Sequence, residues 1–168
     1  MIVQIRIDDR LIHGQVALVW SKELNTPGII VANDNAATNE TVKMTLKMAC
    51  PPGIKLLVRK VEDAKTVIND PRGKNMRIFG LTRNVSDALE LVKACGGNIL
   101  EVNLANAGIH DNDDSGKVTL QGNRVRLTEK EFAAAEELAK ILGDKFISQL
   151  IPTSLKHKVA DMLKTAKK

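Results

Sequence analysis

Apolar positions along this chain recur with two periods, and the pattern switches repeatedly between them. From Ile2 to Ile7 they alternate, with Val3, Ile5 and Ile7 on one side, which predicts a strand. From Gln15 to Asn25 the spacing becomes helical through Val16, Val19 and Trp20, with Ala17 and Leu18 widening the face and Pro27-Gly28 ending it. Gly28 to Ala32 is a short buried strand. Thr38 to Ala49 predicts a helix with Val42, Leu46 and Ala49 on one face and Asn39 or Thr38 as its cap; Cys50-Pro51-Pro52-Gly53 cannot continue it. Ile54 to Val58, Glu62 to Asn69, Met76 to Leu81, Val85 to Ala94 and Ile99 to Leu104 follow as strand, helix, strand, helix, strand, with Gly96-Gly97 closing the last of those helices.

After Leu104 the rhythm changes. Asn106 to Gly116 is a polar loop. Lys117 to Gln121 and Arg124 to Leu127 are short strands joined at Gly122-Asn123, a hairpin signal. Thr128 with Glu131 forms a capping box opening a helix to about Leu142. Phe146 to Ile151 is a last strand, and Pro152-Thr153-Ser154 starts a terminal helix to about Lys164.

Repeated strand–helix steps argue for parallel strands joined by helical crossovers. The fold class expected is α/β: an open, twisted, mainly parallel sheet with helices on both faces and a small hairpin or antiparallel addition in the C-terminal third. No linker or low-complexity stretch divides the chain, so residues 1–168 form a single domain. In such sheets function sits in the loops beyond the carboxyl ends of the strands. These are Asp8 to Gly14, Asn33 to Ala37, Arg59-Lys60, Thr82 to Asn84 and Ala105 to Gly116.

Composition narrows the field. A chain of 168 residues with 43% hydrophobic and 27% charged residues can bury a core without staples. Two cysteines, Cys50 and Cys95, make neither a disulfide framework nor a cysteine zinc site, and are expected to be small core residues. No apolar run approaches the ~18 residues of a membrane helix, and no leader pattern precedes Ile2, so a cytoplasmic protein is expected. Aromatic residues are only 2%, which argues against single-strand nucleic-acid binding by stacking. The net charge of +5 is dispersed, apart from the tail from Lys156 to Lys168; that tail is either a solvated face or a contact for an acidic or membrane-associated partner.

The chemistry concentrates after the first strand. Arg6-Ile7-Asp8-Asp9-Arg10-Leu11-Ile12-His13-Gly14-Gln15-Val16 places two carboxylates, a guanidinium and an imidazole at the functional edge, just before a helix. Arg10 can fork around a phosphate. Asp8 or Asp9 can orient the guanidinium or an imidazole N–H. Backbone N–H groups from Gly14 and Gln15 onward, at a helix start, can receive an anion. A nucleophilic His13 beside an anion site points to phosphoryl transfer through phosphohistidine. Leu11 and Ile12 either supply contact area for a partner or anchor the loop. Thr82 and Arg83 either add phosphate donors or serve as a helix cap and a solvated charge. Asn33-Asp34 either orients the site or caps a turn. His110 with Asp111, Asp113 and Asp114 imitates a metal cluster but is read as a solvated loop, and His157 as surface; no metal and no cofactor are expected.

The eleven residues from Arg6 to Val16 closely resemble the phosphorylation-site signature of IIB subunits of the mannose/fructose/sorbose family of the sugar phosphotransferase system. Other fragments fit in order: Ile30-Val31-Ala32-Asn33-Asp34, Pro51-Pro52-Gly53, Leu81-Thr82-Arg83 with Asp87-Ala88-Leu89, and Gln149-Leu150-Ile151-Pro152. After the fifth strand the family's Asn-Val/Ile-Gly has two incomplete candidates, Asn103-Leu104-Ala105 and Asn106-Ala107-Gly108. The resemblance implies a cytoplasmic phosphotransferase, peripheral to a membrane transporter. It would accept a phosphoryl group from a phosphohistidine of a IIA protein or domain and pass it to a sugar entering through membrane IIC and IID subunits. His13 would be the phosphoryl acceptor, through Nδ1, and Arg10 the phosphate-binding arginine. The family fold agrees with the sheet read above. A homo-oligomer stays open, and no nucleic-acid partner is expected. The competing reading is a small-molecule-binding α/β module without phosphoryl transfer; neither G-x-x-x-x-G-K-[ST] nor G-x-G-x-x-G occurs to support a nucleotide.

Overall fold

The strand nearest the N-terminus, β1 (Ile2–Asp8), is buried along its whole length, because it lies in the middle of a seven-stranded sheet. In this computed structural model, which describes residues 1–109, 116–120, 122 and 124–166, the strands are β2 (Gly28–Ala32), β3 (Lys55–Arg59), β4 (Ile78–Thr82), β5 (Glu101–Asn106), β6 (Val118–Thr119), β7 (Arg126–Leu127), β8 (Phe146–Ser148) and β9 (His157–Lys158). The sheet order is β3-β2-β4-β1-β5-β8-β9, parallel throughout except for the β8–β9 edge pair. β6 and β7 form the separate antiparallel hairpin. The expected mainly parallel α/β fold with a small antiparallel addition is therefore present.

The helices are α1 (Gly14–Glu23), α2 (Asp34–Thr38), α3 (Glu40–Ala49), α4 (Val61–Ile68), α5 (Val85–Ala94), α6 (Glu129–Leu142) and α7 (Val159–Ala166). They cover both faces. On one, Ile5, Ile7, Val102 and Leu104 pack against Val85, Leu91, Phe132 and Leu138. On the other, Ile29, Val31, Phe79 and Leu81 pack against Ala17, Trp20 and Leu46. Strand alternation turns Gln4, Arg6 and Asp8 away from Ile5 and Ile7, so the β1 strip on the α1 side is polar although buried.

Several elements differ from the expectation. The segment expected as one helix from Thr38 is preceded by the separate α2; Asn33 caps α2 by accepting from Ala36 N at 2.9 Å, and Asn39 caps α3 by accepting from Val42 N at 3.2 Å. The last strand stops at Ser148 instead of Ile151. Asn103 grips the Gln149 backbone at both its N–H and its C=O (2.9 and 2.8 Å), and the Gln149 amide donates to Pro152 O and Ser154 O, which turns the chain. The terminal helix accordingly begins at Val159, and His157, expected within it, lies exposed in β9. The Thr128 half of the capping box forms, with its hydroxyl accepting from Glu131 N. The Glu131 carboxylate turns instead to the start of α5, accepting from Val85 N (2.8 Å), Ser86 N (3.1 Å) and Ser86 Oγ (2.6 Å).

Asp87 lies in that same first turn of α5. The half-buried Asp87 carboxyl is pushed up to about 6, first by burial and then by the charges of Asp34, Glu131 and Glu90. A raised acid contributes stability below its unfolded pKa of ~3.9, and this is lost as the pH rises through the folded value. Asp87→Asn should therefore stabilise the fold by about 1 kcal/mol at pH 7.5, after discounting for solvent screening, and by nothing measurable at pH 4. Urea unfolding at the two pH values checks this; equal effects at both contradict it.

The chain leaves β1 toward β2 on one side and β5 toward β8 on the other. The loops after these two neighbouring strands diverge, and the crevice between them is where α/β sheets bind ligands.

Candidate functional site

β1 carries Asp8 to the mouth of that crevice. The chain then turns sharply: Leu11 N donates to Asp8 O at 2.8 Å, and Leu11 adopts φ 59, in the left-handed region that L-residues avoid at a cost of roughly 1–2 kcal/mol. Burial offsets the strain. Leu11 and Ile12 are 7% and 6% exposed in the core beneath α1, so of their two candidate roles the structure supports anchoring the loop. The same turn presents His13 to solvent at the position preceding α1, with extended backbone (φ −113, ψ 111). Its carbonyl accepts the first helical bond from Ala17 N, but its side chain makes no capping hydrogen bond, and the first turn of α1 holds no acidic residue. The N–H groups of Gly14, Gln15 and Val16 open the helix and have no partner within it. Gly14 and Gln15 are exposed. A Cβ on Gly14 would meet Ala49 O at 3.7 Å, an ordinary contact, so glycine is not demanded by packing there.

Arg10 is fixed on one edge. Asp8 Oδ1 accepts from Arg10 N (3.0 Å) and Nε (3.2 Å), and Asp8 Oδ2 accepts from Nη2 (3.3 Å). The Arg10 side chain is 33% exposed against 1% for that of Asp8, so the clamp is buried on the carboxylate side and open on the guanidinium side. Asp8 Oδ2 also accepts from Asn106 Nδ2 at 3.2 Å and from Arg6 Nη2 at 3.4 Å. Burial pushes the Arg6 guanidinium down to about 10, with Asp8 opposing, and it stays charged at neutral pH. Two guanidiniums thus share one carboxylate.

Asp9 has different work from Asp8. Its backbone N–H donates to Asn106 O (3.0 Å) and its carboxylate accepts from Ile109 N (3.0 Å), tying the loop after β1 to the chain after β5. Of the two candidates after the fifth strand, Asn106-Ala107-Gly108 meets the site. Gly108 lies at φ 71, where a Cβ would fall 2.0 Å from Arg126 O, so only glycine fits. Asn103 belongs to the Gln149 turn instead.

Thr82 does not join the cluster. It is fully buried and its hydroxyl donates to Asn84 O, while Asn84 caps α5 by accepting from Asp87 N. Asn33-Asp34 is likewise structural: Asn33 caps α2, and Asp34 Oδ1 accepts from Val61 N. Cys50 and Cys95 are free and half-buried, each thiol against a backbone carbonyl, and burial pushes both thiols up. His110, Asp111, Asp113 and Asp114 lie outside the described residues; among the described residues no group of three His, Cys, Asp or Glu could hold a metal. No helix among the described residues is long and apolar enough to cross a membrane. A cavity of about 720 Å³ lined by Lys22, Thr26, Pro51 and Met76 lies at the amino ends of β2, β3 and β4, the edge opposite His13.

Sequence reasoning gave Arg6 no role of its own and named Asn106 only within a motif candidate, without its bond to Asp8. Arg6 carries a signal, being a charge in a strand otherwise rich in isoleucine and valine; the partnership of Asn106 with Asp8 spans 98 positions and carries none.

Comparisons with known proteins agree on one family. The family model described as PTS system sorbose subfamily IIB component matches residues 2–168. A probable phosphotransferase enzyme IIB component of Streptococcus pyogenes is 44% identical over 163 residues, covering 97% of this chain and 99% of that one. The mannose-specific EIIAB component of Escherichia coli is 35% identical over 158 residues, covering 94% of this chain but 47% of the longer protein. The crystal structure of the IIBSor domain of the sorbose permease from Klebsiella pneumoniae superposes with a TM-score of 0.87 at 33% identity, covering 98% of this chain and 97% of that domain. The chain belongs to the sorbose-subfamily IIB components of the phosphotransferase system, phosphotransferases that carry phosphoryl groups in sugar uptake.

Proposed function

We propose that His13 is the phosphoryl acceptor and that Arg10, aimed by Asp8, holds the phosphoryl oxygens. The observation that carries the reading is the open edge of Arg10, three residues before an exposed imidazole at the start of α1, where no side chain caps the helix. In the first step an imidazole nitrogen of His13 attacks phosphorus, and the N–P bond of the donor phosphohistidine breaks with its electron pair returning to the donor ring. In the second step a sugar hydroxyl oxygen attacks the same phosphorus, the His13 N–P bond breaks with its electron pair returning to the ring, and the hydroxyl proton passes to the freed imidazole. The Gly14 and Gln15 N–H groups and the Arg10 guanidinium stabilise the charge on the transferring oxygens in both steps. Asp9 acts by fixing the loop.

The donor is a IIA protein or domain. A IIAB relative that this chain matches over about half its length favours this, because its name joins IIA to IIB. The acceptor is a sugar held by membrane IIC and IID subunits, with the IIB chain docking at the membrane face. Both partners must bring their reacting atom in line with one phosphorus, which needs accessible surroundings. His13 has them, and Met44 (59% exposed), Met48 (81%) and Val19 (41%) offer adaptable apolar area on α3 and α1. The Gly14–Ala49 approach brings the end of α3 beside the start of α1.

The test is phosphorylation of the purified chain by the general phosphotransferase proteins and a IIA partner. The expected product is one acid-labile, base-stable phosphoryl group per chain. No label, or an acid-stable one, contradicts the proposal and returns the chain to the class of binding modules.

A further inference from the structure

Arg6 is an expensive residue in its position. It is 1% exposed in the central strand of the sheet, where an apolar side chain would cost nothing to bury and a guanidinium must be matched. Its surroundings hold it on three sides. Nη2 meets Asp8 Oδ2 at 3.4 Å, Nη1 donates to Leu150 O at 3.1 Å, and the guanidinium lies 5.9 Å from the centre of the Trp20 ring. Trp20 Nε1 donates to the same Leu150 carbonyl at 3.0 Å, so ring, carbonyl and guanidinium fix one another. Arg6 Nε is buried without a hydrogen-bond partner. Stability alone does not account for a charge kept under these terms.

The account lies in the charge of the clamp. Asp8 with Arg10 alone is neutral, and an incoming phosphoryl group would compete with Asp8 for the Arg10 charge. With Arg6 behind it, Asp8 stays matched from its buried side. Arg10 keeps its open edge, and the three groups together carry one net positive charge toward the phosphoryl oxygens. Arg6 does this from the buried side of Asp8, by contact with that carboxylate.

We propose that Arg6 is a positioning residue for phosphoryl transfer, holding from behind the carboxylate that aims Arg10 and leaving the clamp positive toward the His13 phosphoryl group. This rests on the assignment of His13 and Arg10 above.

The experiment is a double-mutant cycle on the full chain, read as single-turnover phosphorylation by saturating phosphorylated IIA partner. Arg6→Met should slow transfer by about 10- to 100-fold, the scale of a misaligned charged group, with the donor concentration at half-maximal rate unchanged. In an Arg10→Met background the same change should cost less than about threefold, because the group it positions is gone. The Arg10 Nε–H cross-peak in a ¹H–¹⁵N spectrum should shift and broaden in Arg6→Met. Arg6→Lys retains the charge and should recover part of both rate and cross-peak; it carries the same cycle if Arg6→Met does not fold. A full loss that persists in the Arg10→Met background, or a wild-type rate with an unmoved cross-peak, overturns the proposal. A normal rate for Arg10→Met itself, or a phosphoryl group elsewhere than His13, overturns the underlying assignment and is distinguishable because it needs no change at Arg6.

Discussion

His13→Ala abolishes phosphorylation of this chain and leaves its fold and stability in place. The two halves of that expectation have separate causes. The imidazole is the one exposed nucleophile in the loop after β1, where the Asp9 carboxylate is buried and held by Ile109 N, and alanine offers no lone pair to phosphorus, so no residual transfer through this site is expected. The side chain is exposed and makes no capping hydrogen bond, so the ~1 kcal/mol of a helix cap is not at stake. A surface change of this kind stays within about 0.5 kcal/mol. Thermal unfolding alongside the phosphorylation assay separates loss of chemistry from loss of structure. An unfolded variant contradicts the structural half, and a phosphorylated one the chemical half.

Arg10→Lys has the next largest expected effect. Lysine keeps the positive charge but not the planar fork, and the fork is what lets one guanidinium meet Asp8 through Nε and Nη2 while keeping an edge for phosphate. Losing one charge-assisted contact of ~1.5–3 kcal/mol in the transition state slows transfer by roughly 10- to 150-fold. Binding of the IIA partner should change far less, because the lost contact forms with the transferring group. Rapid-quench phosphorylation together with partner titration reads both quantities. Weakened binding with a normal maximal rate would make Arg10 a docking residue.

The alternation of apolar runs made most of the sheet legible, because a parallel strand buried on both faces leaves a run such as Gly28–Ala32 with little else to be. The exceptions are short or held by distant groups. α2 has five residues and no apolar period, and its existence depends on the Asn33 cap. The end of β8 is set by Asn103, 46 positions away, and the Glu131 carboxylate leaves its own helix for α5 across a similar distance. The site divides in the same way. Asp8, Arg10 and His13 fall within six consecutive residues, so their company was visible in the chain. Thr82 looked available because its loop lies on the functional edge; the structure turns its hydroxyl inward to Asn84. Leu11 and Ile12 had two readings that only the fold could separate, since a left-handed Leu11 is tolerable where its side chain is buried.

The central claim is that the phosphoryl group travels on His13. Tandem mass spectrometry under conditions that preserve phosphohistidine, on chain phosphorylated through its IIA partner, tests it most directly. The account predicts a phosphoryl group on His13 and on neither of the other two histidines, His110 and His157. A phosphoryl group on either of those with His13 unmodified would contradict it.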